Sequence, residues 1–382
     1  MKRKAHGTQE PRHIQKYIEV TSTAQRSDSP AQAINQRFPN ENIRFCRFIA
    51  RMSKVRIADA SDPEAIMEAA NIIRKGGLVA FPTETVYGLG ADAENADAVA
   101  RIFEAKRRPR IDPLIVHVAD IELARRYGNF PDAALPLMER FWPGPLTLVA
   151  SKTHLVPPIV TAGLNTVAVR VPAHPAALAL IRAAGRAIAA PSANPFGYVS
   201  PTEAGHVAEQ LGDAVDLILD SGPCMVGVES TILSFEAPGP VILRAGGTPV
   251  EELQSILGYT NIQIDSVTRP SVPGQMKRHY STRTPLEIIE ISGSTNAAFL
   301  AGKKDKKVGL ITLSLMEDAA QYAAVEILSP TGDLREAAAG LFSALRRLDA
   351  LSLDYIAARP MPENGLGLAI MDRLRRCAIR EE

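Results

Sequence analysis

Cysteine is scarce in this chain. Its 382 residues hold three, Cys46, Cys224 and Cys377, odd in number, far apart and without metal-ligand spacing. That excludes a disulfide framework and a thiolate zinc site, and it points to a reducing, cytoplasmic compartment. A surplus of charge is missing too. The formal net charge is +1, so no general field draws the chain to nucleic acid or to a membrane surface, and any basic site has to be local. Long apolar runs are absent: the Ala-rich stretch near Leu180 is broken by Arg182 and Arg186, which excludes a transmembrane helix. Several catalytic signatures are lacking. Gly302-Lys303 is the nearest approach to a phosphate-binding Gly-x4-Gly-Lys-Ser/Thr, but Lys304 follows and Ala297 stands where the first glycine belongs. Gly-x-Ser-x-Gly and His-Glu-x-x-His do not occur. Gly88-x-Gly90-x-x-Ala93 matches the dinucleotide fingerprint loosely, yet six residues separate Phe81 from Gly88, so the glycines do not follow their strand directly.

What is present supports a sizeable core, since 46% of residues are hydrophobic, and the length suits two or three domains. Residues 1–51 stand apart: they are polar, and apolar residues cluster only at Ile43 to Ile49, between arginines. Met52-Ser53-Lys54-Val55 reads as a start. The expectation is that residues 1–51 are a disordered extension or an over-extended reading frame; Glu10, Glu19, Asp28 and Glu41 count against a transit peptide.

From Val55 the chain alternates strand and helix. Ser61 or Asp62 caps a helix with Pro63 at its first position and Ile66, Ala69, Ala70 and Ile73 on its buried face. Leu78-Val79-Ala80-Phe81 is a buried strand stopped by Pro82, which has no N–H for the ladder. Thr83-Glu84-Thr85, Tyr87, Gly88 and Gly90 follow: small donors and bare backbone at a strand end suit a polar ligand. A second helix buries Val99, Ile102 and Phe103 and ends in Lys106-Arg107-Arg108-Pro109. Those cations serve either as a helix C-terminus or as a phosphate clamp. In Leu114 to Val118, period two sets Leu114, Val116 and Val118 against Ile115 and His117. In Thr166 to Val171 it sets the valines against Ala168 and Arg170. So apolar a strand requires an anion for Arg170, either an internal carboxylate or one from a substrate.

Phe141 to Thr147 is a rigid loop holding the single tryptophan. Pro191-Ser192-Ala193-Asn194-Pro195 is a stiff polar turn. Ser200 caps a helix over Thr202 to Leu211, with Glu203 completing a capping box. Val226 to Leu233 is a strand with Ser230 and Thr231 in its middle, and Val241 to Arg244 closes the set. Several strands thus end in hydroxyls, an imidazole or a guanidinium, without a carboxylate cluster. In an open α/β sheet these ends converge on one cleft suited to an anionic, nucleotide-like ligand.

The blocks GGLVAFPTETVYGLGADA, KRRP…PLIVHV, FWPGPLT, NTVAVRVP, APSAN, GVESTI and VILRAGG, in this order, resemble the YrdC-like family, in its long threonylcarbamoyl-AMP synthase form. The resemblance covers residues 55–382. It implies an α/β fold: a YrdC-like twisted sheet domain with a deep cationic cleft (52–258), a linker or lid over the cleft (259–284), and a smaller C-terminal Rossmann-like domain (285–382). It implies that L-threonine, bicarbonate and ATP give L-threonylcarbamoyladenylate and pyrophosphate. Partner proteins then transfer the threonylcarbamoyl group to the tRNA adenosine beside the anticodon, with transient tRNA contact and no membrane. The family's threonine pocket falls on Thr85, His117, Arg170, Ser230 and the backbone of Ala190. Its ATP contacts fall on Arg108, Asp112, Thr166, Ser192, Ser200 and Arg244, with Lys106 in the same basic strip and Tyr280 as lid residue. Lys106, Arg108 and His117 are the catalytic candidates. Mg2+ accompanies the phosphates. Asp112 departs from the pattern, which has asparagine there; near phosphates it is repelled, and it engages ribose or a metal instead. The C-terminal part carries no catalytic constellation and is assigned to lid regulation or partner contact. Rival readings are an RNA-binding module using the same cleft, another carbamoyl-adenylate enzyme, and a scaffold with a dead site.

Overall fold

The computed structural model describes residues 55–236, 239–258, 261–262, 271–274, 279–289 and 293–379. The expected extension 1–51, the start at Met52, and linker stretches 263–270 and 275–278 lie outside the described residues. Everything described belongs to one unit, Arg44–Glu382.

The chain begins β1 (Ile57–Asp59), α1 (Pro63–Arg74), β2 (Val79–Phe81), β3 (Gly88–Asp92), α2 (Ala96–Lys106), β4 (Ile115–His117), α3 (Ile121–Tyr127) and β5 (Gly128–Asn129). It continues with α4 (Leu135–Phe141), β6 (Leu146–Lys152), β7 (Thr166–Arg170), α5 (Pro175–Ala184), β8 (Ile188–Ala189), α6 (Ala204–Gln210) and β9 (Leu217–Asp220). Then come β10 (Thr231–Ser234), β11 (Val241–Arg244), α7 (Val250–Leu257) and β12 (Asn261–Ile262). The last part is β13 (Leu286–Ile288), α8 (Gly293–Gly302), β14 (Val308–Thr312), β15 (Ala324–Ile327), α9 (Leu334–Asp349), β16 (Tyr355–Ala358) and α10 (Gly367–Ala378).

One mixed sheet runs β1-β9-β2-β3-β8-β4-β7-β6-β10-β11-β12, with β5 beside β6. A second sheet, β13-β16-β14-β15, is parallel throughout, as a Rossmann-like reading expects. The α1 helix follows its sequence signals: Asp62 accepts the Glu64 amide at 2.9 Å, Pro63 opens the helix, and Ile66 and Ile73 are buried. Each such isoleucine stabilises the fold by roughly 1.5–3 kcal/mol.

The period-two reading of β4 and β7 holds. Leu114, Val116, Val118, Val167, Val169 and Val171 enter the main core. Ile115 and Ala168 lie in a separate cluster with Val149, Ile232 and Val272. His117 and Arg170 therefore share the second face, and the parallel register sets them opposite one another.

Three local expectations fail. Gly88–Asp92, read as bare backbone beyond a strand end, is itself a strand, antiparallel to β2. Gly90 is required there, since a Cβ would lie 2.7 Å from both Ile188 and Phe81. The expected strand over 226–233 starts only at Thr231, so Ser230 sits just ahead of it. The α6 helix starts at Ala204 with Glu203 at its cap position and no side-chain cap bond; Ser200 is occupied elsewhere.

The α9 and α10 helices bury faces against the loops of the larger sheet as well as their own. Val86, Val199, Val228, Ala245 and Tyr280 share one apolar cluster with Ala338, Leu341, Phe342 and Ile370. Gly227, at φ +73, sits so close to α9 that a Cβ would lie 2.4 Å from the Ala338 carbonyl oxygen.

Candidate active site

The tips of β4 and β7 place His117 and Arg170 side by side, and the hydroxyl turn after β2 closes over them. Thr83 organises that turn: its hydroxyl donates to the Val86 carbonyl at 2.6 Å and lies 2.8 Å from Thr85 Oγ1. Arg170 donates Nη1–H to Thr85 Oγ1 at 2.9 Å and Nε–H to the Gly144 carbonyl at 3.1 Å. The tryptophan loop thus holds the arginine, and Trp142 anchors that loop by donating to Leu146 O at 2.7 Å. The anion demanded by Arg170 is internal: Glu84 Oε1 stands 2.7 Å from Nη2, with both side chains buried.

Thr83, Thr85, His117 and Arg170 line a cavity with about 50 Å³ of free space. Of the expected residues, Thr85, Arg108, His117, Arg170, Ala190, Ser192, Ser230, Arg244 and Tyr280 all border it. Ser230 Oγ is 2.7 Å from Thr147 Oγ1, and Arg244 donates to the Ser230 carbonyl through Nε and Nη2 at 3.1 and 2.9 Å. Arg244 Nη1 reaches the Pro273 carbonyl at 3.1 Å. Its described bonds therefore go to neutral oxygens, and Glu229 is the nearby carboxylate whose charge acts on it. Burial pushes Arg244 down to about 10, so it remains a cation at neutral pH.

Lys106, Asp112, Thr166 and Ser200 are not on the lining. Lys106 is fully buried and donates to the carbonyls of Ser192 and Asn194, pinning the turn that presents Ser192. Burial, followed by the charge of Arg108, lowers its pKa well below the usual amine range. Thr166 opens β7, whereas Arg170 closes it. Ser200 is not the expected cap: it donates to Glu229 Oε1 at 2.6 Å. The Asp112 carboxylate lies 3.0 Å from Arg108 Nη2, both groups buried. Burial raises the Asp112 pKa, and Arg108, Lys106 and Arg244 pull against it.

His117 is pushed down to about 3 by burial and by Arg170 beside it. It is a neutral imidazole at pH 7, with Nδ1 buried and without a hydrogen-bond partner. Above the cavity, His279 packs on Tyr280 with ring centroids 4.1 Å apart, and burial brings His279 to about 3 as well. Tyr280 occupies the left-handed region at φ 62, an uncommon conformation for a bulky side chain. It stacks on Phe342 of α9 at 5.5 Å.

Sequence reasoning missed Glu84 as the partner of Arg170, Glu229 as a wall residue, and Arg373, whose Nε–H donates to Glu229 Oε2 at 3.1 Å. Glu84 and Glu229 lie inside blocks already singled out, beside Thr85 and Ser230. Arg373 had no local signal, because it sits 144 positions from its partner.

Comparison with known proteins places the chain in a family. The family described as telomere recombination matches residues 71–246. The family described as threonylcarbamoyl-AMP synthase, C-terminal domain, matches residues 248–379. A threonylcarbamoyl-AMP synthase of Bacillus subtilis is 46% identical over 327 residues, 83% of this chain and 94% of its own. One from Pyrococcus abyssi is 43% identical over 337 residues, 85% of this chain and 97% of its own. The crystal structure of P. abyssi Sua5 complexed with L-threonine superposes with a TM-score of 0.77 at 42% identity, covering 83% of this chain and 95% of that one. With paired strand tips, a cationic cavity and both halves of the chain matched, this protein belongs to the threonylcarbamoyl-AMP synthase family of enzymes.

Proposed function

We propose that this protein joins L-threonine, bicarbonate and ATP into L-threonylcarbamoyladenylate with release of pyrophosphate. The product serves threonylcarbamoyl modification of the tRNA adenosine beside the anticodon, through downstream transferase proteins. The observation that carries this reading is the His117–Arg170 rung facing Thr85, Ser230 and Arg244 across one small cavity.

In this reading threonine lies against Thr85, His117, Arg170, Ser230 and the backbone of Ala190. Its amine and bicarbonate combine to a carbamate and water. A carbamate oxygen attacks the α-phosphorus, and the bond to pyrophosphate breaks. Two anions approach one another, so catalysis is chiefly charge neutralisation and positioning. Arg108 and Arg244 supply the charge. Ser192, held by Lys106, and Ser200, Thr166 and Asp112 complete the nucleotide side, Asp112 by balancing Arg108. His117, neutral because it is buried, hydrogen-bonds the substrate rather than attracting it by charge. Magnesium brought in with ATP would supply further charge to the phosphates; among the described residues no cluster of three His, Cys, Asp or Glu side chains stands ready to hold it.

His279 and Tyr280 border the cavity, and in this reading the strap that bears them moves aside when ATP enters. The unusual φ of Tyr280 supports such a movable strap. Free thiols at Cys224 and Cys377 fit a cytoplasmic setting, and no described helix is long and apolar enough to cross a membrane.

The test is pyrophosphate release from ATP, scanned over amino acids with and without bicarbonate. Release that needs both threonine and bicarbonate is expected. Release independent of either, or none at all, overturns the assignment.

A further inference from the structure

The last helix reaches a residue of the cavity wall, Glu229, through Arg373. Arg373 lies on α10 and its side chain is 0% exposed. Besides Glu229, it donates Nη1–H to the Ala245 carbonyl at 2.6 Å and to Asp372 Oδ2 at 2.9 Å. Asp372 in turn accepts from Arg376 Nε at 2.9 Å. The guanidinium carbon stands 5.4 Å from the Tyr280 ring centroid, within cation–π range. A single cation thus touches the wall residue, the backbone beyond β11 and the strap.

Glu229 is held from both ends. Arg373 takes one carboxylate oxygen and Ser200 the other, while the Glu229 carbonyl accepts the Gly247 amide at 2.9 Å. The next residue is Ser230, to which Arg244 is bonded. The Glu229 side chain and the backbone that carries Ser230 and Arg244 are thus held in one bonded group. Gly246 leaves no slack, because even a Cβ there would lie 2.3 Å from the Glu229 carbonyl oxygen.

Stability alone is a poor reason for this arrangement. Desolvating an arginine and a carboxylate costs several kcal/mol each, and a buried ion pair often does no better than an apolar pair of the same volume. What the pair does supply is a fixed orientation for a group on the cavity wall. Burial by itself drives the Glu229 carboxyl up, but Arg373, Arg244 and the Ser200 hydroxyl outweigh it and hold the pKa below the usual range.

We propose that Arg373 is a positioning residue for the reaction: it orients Glu229 and, through it, the Ser230–Arg244 wall, a polar link from the C-terminal part to the cavity beside the apolar packing of α9 on Tyr280. This inference rests on the synthase reading above. The groups facing Glu229 are Arg373 and Asp372 from α10, Arg244 from β11, and His279 and Tyr280 from the strap. With the two histidine and tyrosine side chains neutral, Arg373 and Arg244 are the charges that keep Glu229 ionised. Removing Arg373 raises the Glu229 pKa, and a protonated Glu229 no longer accepts from Ser200 while balancing Arg244.

The experiment compares wild type, Arg373→Met, Arg373→Lys and Glu229→Gln as full-length chains, measuring threonine- and bicarbonate-dependent pyrophosphate release against pH, with circular dichroism to count the folded fraction. Per folded molecule, Arg373→Met is expected to lose about tenfold or more in kcat/KM. Its acid limb should move up by about one pH unit, and Arg373→Lys should restore part of both. Glu229→Gln should lower kcat/KM and abolish that limb. If Arg373→Met does not fold, the Lys and Gln variants decide by the same two readouts. Wild-type activity with unshifted limbs and kcat/KM within about twofold in the folded variants overturns the positioning role. Absence of wild-type activity would instead remove the synthase reading.

Discussion

Glu84 Oε1 and Arg170 Nη2 stand 2.7 Å apart with both side chains almost wholly buried. The second oxygen of Glu84 accepts the Ala173 amide at 3.0 Å. Arg170 thus meets the cavity as one half of a neutral pair, preset by Thr85 and Gly144. Threonine's carboxylate would join an arginine already oriented, which spares the cost of ordering a long side chain on binding.

Glu84→Gln should therefore damage folding more than the loss of one contact suggests. It leaves Arg170 charged and unbalanced in a dry site, a cost of about 3–5 kcal/mol. Urea unfolding measures this directly. An unchanged midpoint would mean the pair is solvated and of little weight.

Asp112 and Arg108 make the complementary case. Asp112→Asn frees the Arg108 charge, so the unliganded protein should melt lower while ATP should raise its melting temperature by more than in wild type. Thermal shifts with and without magnesium-ATP test this. A smaller ATP-induced rise in the variant would show that Asp112 helps hold the nucleotide instead of screening the cation.

Two glycines should behave oppositely. Gly246→Ala places a methyl 2.3 Å from Glu229 O and 2.4 Å from Thr231 N, main-chain atoms that cannot step aside. It should cost on the order of 1–3 kcal/mol or more and most of the activity. Gly302→Ala, at the exposed end of α8 with nothing within 4 Å, should be neutral or stabilising by about 0.5–1 kcal/mol. Chemical denaturation and pyrophosphate release on both variants provide the comparison; equal losses would refute it.

Acid should weaken the fold through its histidines. Burial pushes His117, His206 and His279 each down to about 3, whereas the unfolded chain protonates near about 6.5. Above that value the histidines leave stability unchanged. Below it the unfolded chain takes up protons that the fold refuses, and each histidine removes on the order of 1 kcal/mol per pH unit. Urea midpoints between about pH 7.5 and about pH 5 should fall steeply. The slope should be shallower in His279→Gln, and an identical slope in that variant would contradict the assignment.

Much of the site was legible because it is built at strand ends. Period two alone put His117 and Arg170 off the main-core face, and the demand of a buried guanidinium for an anion was visible before its partner was known. Local chemistry misled where a tertiary partner outbid it. Ser200 has every mark of a helix cap, yet its hydroxyl is taken by Glu229. Gly88 and Gly90 read as bare backbone beyond a strand end, yet they are strand residues that let Phe81 and Ile188 close over them. Lys106 reads as a phosphate ligand, but it is spent on two carbonyls of the Ser192 turn. Arg373 was out of reach of any window-based reading, since nothing near it in the sequence reports what it touches.

The rung shared by β4 and β7 has one more consequence. His117 and Arg170 are opposite residues of a parallel ladder, so their spacing is fixed by peptide hydrogen bonds and not by the side chains around them. A slip of a single residue would turn one of them to the other face. The rung then works as a ruler: substitutions in the loops around the cavity can reshape its edges without changing the spacing of the two paired backbones.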